Sequence, residues 1–124
     1  MKIKRLASSG LFFLLIACSN NSSTSTHTDI DATTFDTWRQ SPNVLVLDVR
    51  TPDEFAAGHV EGALNVDYYA SDFENQLKNL PKKDTVLVYC ASGRRSSASV
   101  EALKKAGFTY IGNLTGGYNN YKNR

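Results

Sequence analysis

The stretch Val86-Leu87-Val88-Tyr89-Cys90-Ala91-Ser92-Gly93-Arg94-Arg95-Ser96 decides the fold around it. Its apolar first part predicts a buried strand over Thr85–Tyr89. A short polar loop follows Cys90, and a helix is predicted over Ser96–Ala106. Cys90 thus stands where a strand gives way to a helix amino terminus, the place at which α/β proteins present backbone N–H groups to an anion. A thiolate is such an anion, so Cys90 is predicted to be a nucleophile.

The segments on both sides of this stretch alternate between helix and strand patterns. The predicted elements are a helix capped by Asp31, strand Val44–Leu47, a helix capped by Thr51, strand Ala63–Val66, helix Ser71–Leu80, strand Phe108–Ile111 and helix Thr115–Lys122. Gly116-Gly117 is expected to allow tight packing of the last helix. This alternation predicts one α/β domain with a parallel sheet flanked by helices.

The amino-terminal part of the chain has the pattern of an export signal. Three basic residues precede the short apolar run Leu11–Ala17, which is followed by Cys18. Leu15-Ile16-Ala17-Cys18 resembles the lipobox of bacterial lipoproteins, in which the signal is cleaved before the cysteine and the cysteine carries the lipid. The alternative is an ordinary secretory signal. We expect residues 1–17 to be a signal peptide, 18–28 a lipidated cysteine with a flexible Ser/Thr/Asn tether, and 29–124 the domain.

This pattern implies an exported bacterial lipoprotein, anchored through Cys18 on the periplasmic side of a membrane or at the cell surface. An aspartate directly after the lipidated cysteine would resemble the inner-membrane retention signal of Gram-negative lipoproteins. Ser19 stands at that position here, which favours the outer membrane in a Gram-negative host. The net charge of +2 includes three basic residues of the signal. From Cys18 onwards 11 basic residues face 12 acidic ones, so the charge gives no support for nucleic-acid binding.

If Cys18 carries lipid, Cys90 is the remaining thiol and has no intramolecular disulfide partner. Cysteine and histidine are too scattered for a zinc signature, so no metal is expected. Gly93 lets successive N–H groups converge on the sulfur, and Arg94 and Arg95 add positive charge. Such surroundings lower a cysteine pKa from about 8.5 to roughly 3.5–7.5. The loop therefore favours a cysteine nucleophile acting on a small anionic substrate.

The loop length bears on the reaction type. A cysteine phosphatase loop needs an arginine six residues after the cysteine to bind the phosphoryl oxygens bidentately. Here that position is Ser96, and Arg95 falls one residue short. The shorter loop suits transfer of a single sulfur atom.

Three blocks of the chain resemble the rhodanese family. They are the pattern from Asp48-Val49-Arg50 through Glu54-Phe55 and Gly58-His59 to Val66, the loop Cys90–Ser96, and Leu114-Thr115-Gly116-Gly117. The resemblance covers about residues 29–122, with Tyr121 standing where the family often has tryptophan. It implies a rhodanese-like three-layer fold with a five-stranded parallel sheet.

The resemblance also implies an activity. Cys90 would take a sulfane sulfur from a thiosulfate-like donor and pass it, as a persulfide, to a thiol or to cyanide, without a cofactor. The loop residues would bind the substrate and persulfide: Ala91, Ser92, Gly93, Arg94, Arg95 and Ser96. A monomer is expected. The alternatives are a non-catalytic rhodanese-like binding module, or a cysteine phosphatase or arsenate reductase.

Several other residues have structural interpretations. Asp48 and Arg50 are predicted to be buried partners, and Glu54 to be a helix-terminal charge paired with Arg50. His59 is predicted to have a hydrogen-bonded structural role. Tyr68-Tyr69 and Tyr118 are candidates for lining the mouth of the site.

Overall fold

The computed structural model describes Gly10 and residues 24–124. The predicted signal peptide, apart from Gly10, and the predicted lipid site Cys18 lie outside the described residues. In the described part of the chain, no helix has both the length and the apolar character needed to cross a bilayer.

Five parallel strands form one sheet, as predicted. In chain order the strands are β1 Thr26–Ile30, β2 Val44–Asp48, β3 Leu64–Asn65, β4 Thr85–Tyr89 and β5 Tyr110–Leu114. Their order across the sheet is β1-β5-β4-β2-β3, which places β4 in the centre. The carboxyl ends of all strands therefore meet at one edge of the sheet, and Cys90 directly follows the central strand at that edge.

Within the described residues, six short helices cover the two faces of the sheet. They are α1 Ala32–Trp38, α2 Pro52–Ala56, α3 Phe73–Lys78, α4 Arg94–Ala98, α5 Val100–Lys105 and α6 Gly117–Tyr121. One hydrophobic cluster packs α3 and α5 against one face, and a second packs α1 and α6 against the other. This gives the predicted three layers. Thr51 forms a capping box with Glu54 at the start of α2, as its sequence pattern indicates.

The predicted helix Ser96–Ala106 is instead two helices, α4 and α5, that meet at Ser99. The Ser99 hydroxyl donates to the carbonyl of Arg95 at 2.7 Å, a side-chain bond within the helix that favours bending. Helix α4 also begins two residues earlier than predicted, at Arg94, because Gly93 adopts a left-handed conformation with φ of 109° and turns the chain there.

The predicted tether, residues 18–28, is wrong at its carboxyl-terminal end. Thr26–Thr28 belongs to β1 and pairs with Tyr110–Gly112 of β5. Because β1 is an edge strand whose first four residues are exposed, backbone hydrogen bonds rather than apolar side chains hold it in place. A hydrophobicity pattern therefore does not reveal it, and the ordered domain begins at Thr26 rather than at residue 29.

Candidate active site

The thiol of Cys90 lies in a loop that directs hydrogen-bond donors at it. The side chain is buried, with 1% of the residue exposed. Its Sγ accepts the backbone N–H of Gly93 at 3.0 Å and the hydroxyl of Ser96 at 3.5 Å. Ser96 is itself fully buried, and its hydroxyl also contacts the carbonyl of Gly93 at 3.2 Å. The predicted convergence of loop donors on Cys90 is therefore present.

This arrangement lowers the pKa of the Cys90 thiol. Burial acts in the opposite direction and raises the pKa, but hydrogen bonds from the Ser96 hydroxyl and from the N–H groups of Ser96, Gly93 and Ser92 outweigh it. The net result is a pKa below the ordinary cysteine value. Hydrogen bonds to the charged form account for such a shift, since they stabilise the thiolate and not the thiol.

Helix α6 holds the loop from the other side. The N–H of Tyr118 donates to the carbonyl of Cys90 at 2.8 Å, and that of Asn119 to the carbonyl of Ala91 at 3.0 Å. A Cβ at Gly117 would lie 2.5 Å from the carbonyl oxygen of Ala91 and 2.6 Å from that of Cys90. Only glycine fits this close approach, which gives the Gly116-Gly117 pair its predicted packing role.

The two loop arginines have different surroundings. The Arg95 guanidinium binds both carboxylate oxygens of Glu54, at 2.8 and 3.0 Å. This pairing holds the pKa of Glu54 down at about 2. Arg94 is exposed and makes no salt bridge with any residue that the structure describes. Arg94 is thus the loop cation whose charge is not already compensated.

The predicted pairing of Glu54 with Arg50 is wrong. Arg50 turns inward and binds Asp48, with Nη2 at 2.7 Å and Nε at 3.0 Å from Oδ2. Both side chains are buried, which confirms their predicted role as structural partners. Because the buried carboxylate of Asp48 already neutralises Arg50, Glu54 is available to pair with Arg95 of the loop.

An aromatic and cationic cleft of about 310 Å³ opens beside the loop, lined by Tyr68, Tyr69, Arg94, Arg95 and Ala98. Tyr69 is 61% exposed, and its ring centroid lies 5.6 Å from the Arg95 guanidinium carbon. Tyr118 does not belong to this cleft. It lies over Arg50 instead, with 4.3 Å between ring centroid and guanidinium carbon.

His59 packs away from the thiol. Its Nδ1 lies 2.9 Å from the carbonyl oxygen of Phe55, and the two rings stack with centroids 3.7 Å apart. The predicted hydrogen-bonded role of His59 is therefore confirmed. The sequence did not predict two contacts that act on the loop. The Ser96 hydroxyl donates to Sγ of Cys90, and Glu54 accepts from the guanidinium of Arg95.

Replacing Ser96 by alanine is expected to raise the pKa of the Cys90 thiol by about one unit, because one donor to the thiolate is lost at about 1.4 kcal/mol per unit. At a pH below the wild-type pKa, the thiolate fraction of the variant is then about tenfold lower than that of the wild type. The pH dependence of Cys90 alkylation by iodoacetamide, followed by peptide mass, measures this shift. The rate rises as pH rises through the pKa, and the wild-type midpoint should lie below that of a free cysteine.

Ser97→Ala is the matched control for this shift. The Ser97 hydroxyl accepts from the side-chain amide of Asn113 at 3.0 Å and makes no hydrogen bond to Sγ. Its alkylation midpoint should therefore equal that of the wild type. If Ser96→Ala also kept the wild-type midpoint, the Ser96 hydroxyl would have no part in activating the thiol.

Fold and site together define a class of protein, a parallel α/β domain that presents a cysteine with a lowered pKa within a loop of hydrogen-bond donors. Residues 31–124 match the rhodanese-like domain. The chain belongs to the rhodanese-like domain family.

Relatives with known names support this assignment. Over 82 residues the chain is 39% identical to thiosulfate sulfurtransferase 16 of Arabidopsis thaliana. This match covers 58% of this chain and 68% of the relative. The chain is 36% identical over 70 residues to thiosulfate sulfurtransferase PspE of Escherichia coli, covering 56% and 67%. The chain spans only about half the length of several other curated relatives, 45 to 48% of each.

A solved structure has the same fold. The crystal structure of a rhodanese-related protein from Thermoplasma volcanium superposes with a TM-score of 0.63 at 29% identity. The superposition covers 77% of this chain and 90% of that one. The fold prediction is therefore confirmed.

Proposed function

We propose that the domain is a sulfurtransferase that moves a sulfane sulfur from thiosulfate, or a similar small anionic donor, to a thiophilic acceptor through a persulfide on Cys90. The observation that carries this proposal is the hydrogen bonding of Cys90 Sγ by Gly93 and Ser96 inside the loop. Two named thiosulfate sulfurtransferases among the relatives support the donor class.

The proposed reaction has two displacement steps. The Cys90 thiolate attacks the sulfane sulfur of thiosulfate, an S–S bond forms to Cys90, and sulfite leaves with the electron pair of the donor S–S bond. An acceptor thiolate or cyanide then attacks the outer sulfur of the persulfide, and Cys90 leaves as thiolate. The loop from Ala91 to Ser96 holds the negative charge in both states, and no cofactor takes part.

The alternative functions explain the site less well. A phosphatase or arsenate reductase needs an arginine to bind the oxyanion bidentately, whereas the Arg95 fork is already engaged by Glu54. A purely binding module has no need for a cysteine whose pKa is lowered by its surroundings. Both remain measurable outcomes of the following experiment.

The test is incubation of the chain with thiosulfate, followed by intact mass and then by addition of cyanide. We expect the mass to increase by one sulfur atom and thiocyanate to appear when cyanide is added. A chain that gains no sulfur and makes no thiocyanate would refute the sulfurtransferase. Hydrolysis of an aryl phosphate would favour the phosphatase, and inactivity in both assays the binding module.

Arg94→Gln is expected to raise the KM for thiosulfate about tenfold with little change in kcat, since a lost charge-assisted contact is worth roughly 1.5 kcal/mol. The physical reason is that Arg94 is the exposed and uncompensated cation of the cleft. Steady-state kinetics with thiosulfate and cyanide measure the effect. The control is the double variant Glu54→Gln/Arg95→Gln, which removes a neutral pair and should change KM less. An equal or larger rise in the control would assign donor binding to Arg95.

The location proposed for this activity is the periplasmic side of a bacterial membrane or the cell surface, with the chain anchored through lipid on Cys18. The lipobox-like sequence Leu15–Cys18 supports this anchor. Labelling of the wild type by a palmitate analogue, lost in Cys18→Ala, would establish the attachment, and a label that persists in Cys18→Ala would refute it.

A further inference from the structure

An apolar groove lies at the edge of the sheet opposite Cys90, where the strands begin. Its lining residues come from the end of α1, the following turn and the first residues of β2, β4 and β5: Thr37, Trp38, Ser41, Val44, Thr85 and Tyr110. The groove has a volume of about 450 Å³. Trp38 is 41% exposed and Tyr110 is 55% exposed, so two large aromatic side chains face solvent on this surface.

The chain enters the domain beside this groove. Thr26, the first residue of β1, is in register with Tyr110 of β5, and Tyr110 is in register with Thr85 of β4. Cys18 precedes Thr26 by eight residues. A chain of that length spans at most about 28 Å when fully extended. A lipid on Cys18 would therefore hold this edge of the domain within reach of the bilayer surface.

Basic residues predominate in the chain segments that lead into the strands beside the groove. The connections into β2, β4 and β5, together with the last residues of α3 and α5, cover residues 39–43, 78–84 and 104–109. They contain one acidic residue, Asp84, and six basic residues: Arg39, Lys78, Lys82, Lys83, Lys104 and Lys105. This excess stands out because the chain from Cys18 onwards is close to neutral.

Most of this positive charge is not compensated by ion pairs. Arg39 binds Asp36 and Lys104 binds Glu101, each at 2.8 Å. Among the described residues the other four cations have no carboxylate within salt-bridge distance. The ammonium group of Lys83 lies 3.5 Å from the carbonyl oxygen of Val44, a residue of the groove, so this cation borders the groove directly.

We propose that this surface, the groove with Trp38 and Tyr110 and its six cations, docks on a bilayer that contains anionic phospholipid. The inference rests on the proposed anchor at Cys18, which brings this edge to the membrane. Tryptophan and tyrosine favour the headgroup region of bilayers, and lysine and arginine bind anionic headgroups. The combination of aromatic side chains, cations and an adjacent attachment point matches that chemistry.

Docking in this way sets the direction of the active site. Cys90 follows the far end of β4, about 17 Å from Thr85 along the strand. Because all strands are parallel, the loop and the cleft with Tyr69 lie at the edge away from the bilayer. Sulfur donors and acceptors from the aqueous phase then reach Cys90 without approaching the lipid.

Trp38 is the only tryptophan of the chain and reports on this contact directly. The full chain, purified from bacterial membranes and checked for acylation by mass, is reconstituted into phosphatidylcholine vesicles with phosphatidylglycerol and a brominated acyl chain as quencher. We expect Trp38 emission to shift to the blue and to be quenched. The double variant Lys78→Gln/Lys105→Gln should lower the docking equilibrium at least about tenfold, since each cation near an anionic surface contributes about 1 kcal/mol.

The matched control is Arg94→Gln/Lys122→Gln, which removes two exposed cations outside this surface and should leave the quenching of Trp38 unchanged. An acylated chain whose Trp38 is not quenched overturns the docking surface while the anchor stands. If the chain is not acylated, the proposed anchor is refuted. Quenching of Trp38 by anionic vesicles would in that case still support the docking surface, and a lack of quenching would overturn it. A blue shift that grows with protein concentration without lipid assigns the groove to a second copy and also overturns the inference.

Discussion

Replacing Cys90 by serine is expected to abolish sulfur transfer, with thiocyanate formation at the rate of the uncatalysed reaction and no sulfur added by thiosulfate. A serine hydroxyl stays protonated at neutral pH, and it cannot form a persulfide. Its oxygen nevertheless fits the place of Sγ, where it can accept the N–H of Gly93. The loop should therefore persist, so that the loss reports on the chemistry of the sulfur and not on folding.

Cys18→Ala is the matched control, because it removes the other cysteine of the chain and leaves Cys90 in place. This variant should form the persulfide and thiocyanate as the wild type does. Sulfur added to Cys90→Ser, located by peptide mass at Cys18, would show that the assay does not depend on the Cys90 loop. Transfer at the wild-type rate by Cys90→Ser would refute the proposed mechanism altogether.

The features of the site that were predictable from the sequence are those set by neighbouring residues. The strand before Cys90, Gly93 at the turn and the presence of a helix after the loop are all encoded within a dozen residues, although that helix begins two residues before its predicted start. The lowered pKa of the thiol follows from that local geometry. The Arg95–Glu54 pair spans 41 residues, and local spacing favoured Arg50 as the partner of Glu54. Only the fold decides between them, because it turns Arg50 towards Asp48.

The errors in the predicted fold have a common physical origin. The residues of β1 are exposed except Ile30, and the strand is held by backbone pairing with β5, which leaves no hydrophobic pattern. The break between α4 and α5 falls at Ser99, whose hydroxyl donates to the carbonyl of Arg95, within a segment whose apolar spacing predicts a continuous helix. Hydrophobic periodicity reports burial, and it does not report the hydrogen bonds found at these two features.

Asp48→Asn is expected to lower the free energy of unfolding by about 3–5 kcal/mol, since it leaves the buried guanidinium of Arg50 without its counter-charge. Asp48 is fully buried and Arg50 is 5% exposed, so water cannot replace the lost carboxylate. For a domain whose total stability is typically about 5–15 kcal/mol, this loss is about a fifth or more. Urea unfolding followed by circular dichroism measures it. Asp53→Asn, at an exposed carboxylate in the first turn of α2, should change stability by less than about 1 kcal/mol.

The effect of Asp48→Asn should reach the active site through Arg50. Its Nη2 also donates to the carbonyl of Gly58 at 2.7 Å, and its guanidinium lies under Tyr118, whose N–H holds the carbonyl of Cys90. The double variant Asp48→Asn/Arg50→Met removes both charges and should recover part of the lost stability, because the main cost is an unpaired buried cation. It should not recover sulfur transfer fully, since Tyr118 still lacks its cation. Equal stability of the single and double variants would show that the pair is not what stabilises this part of the domain.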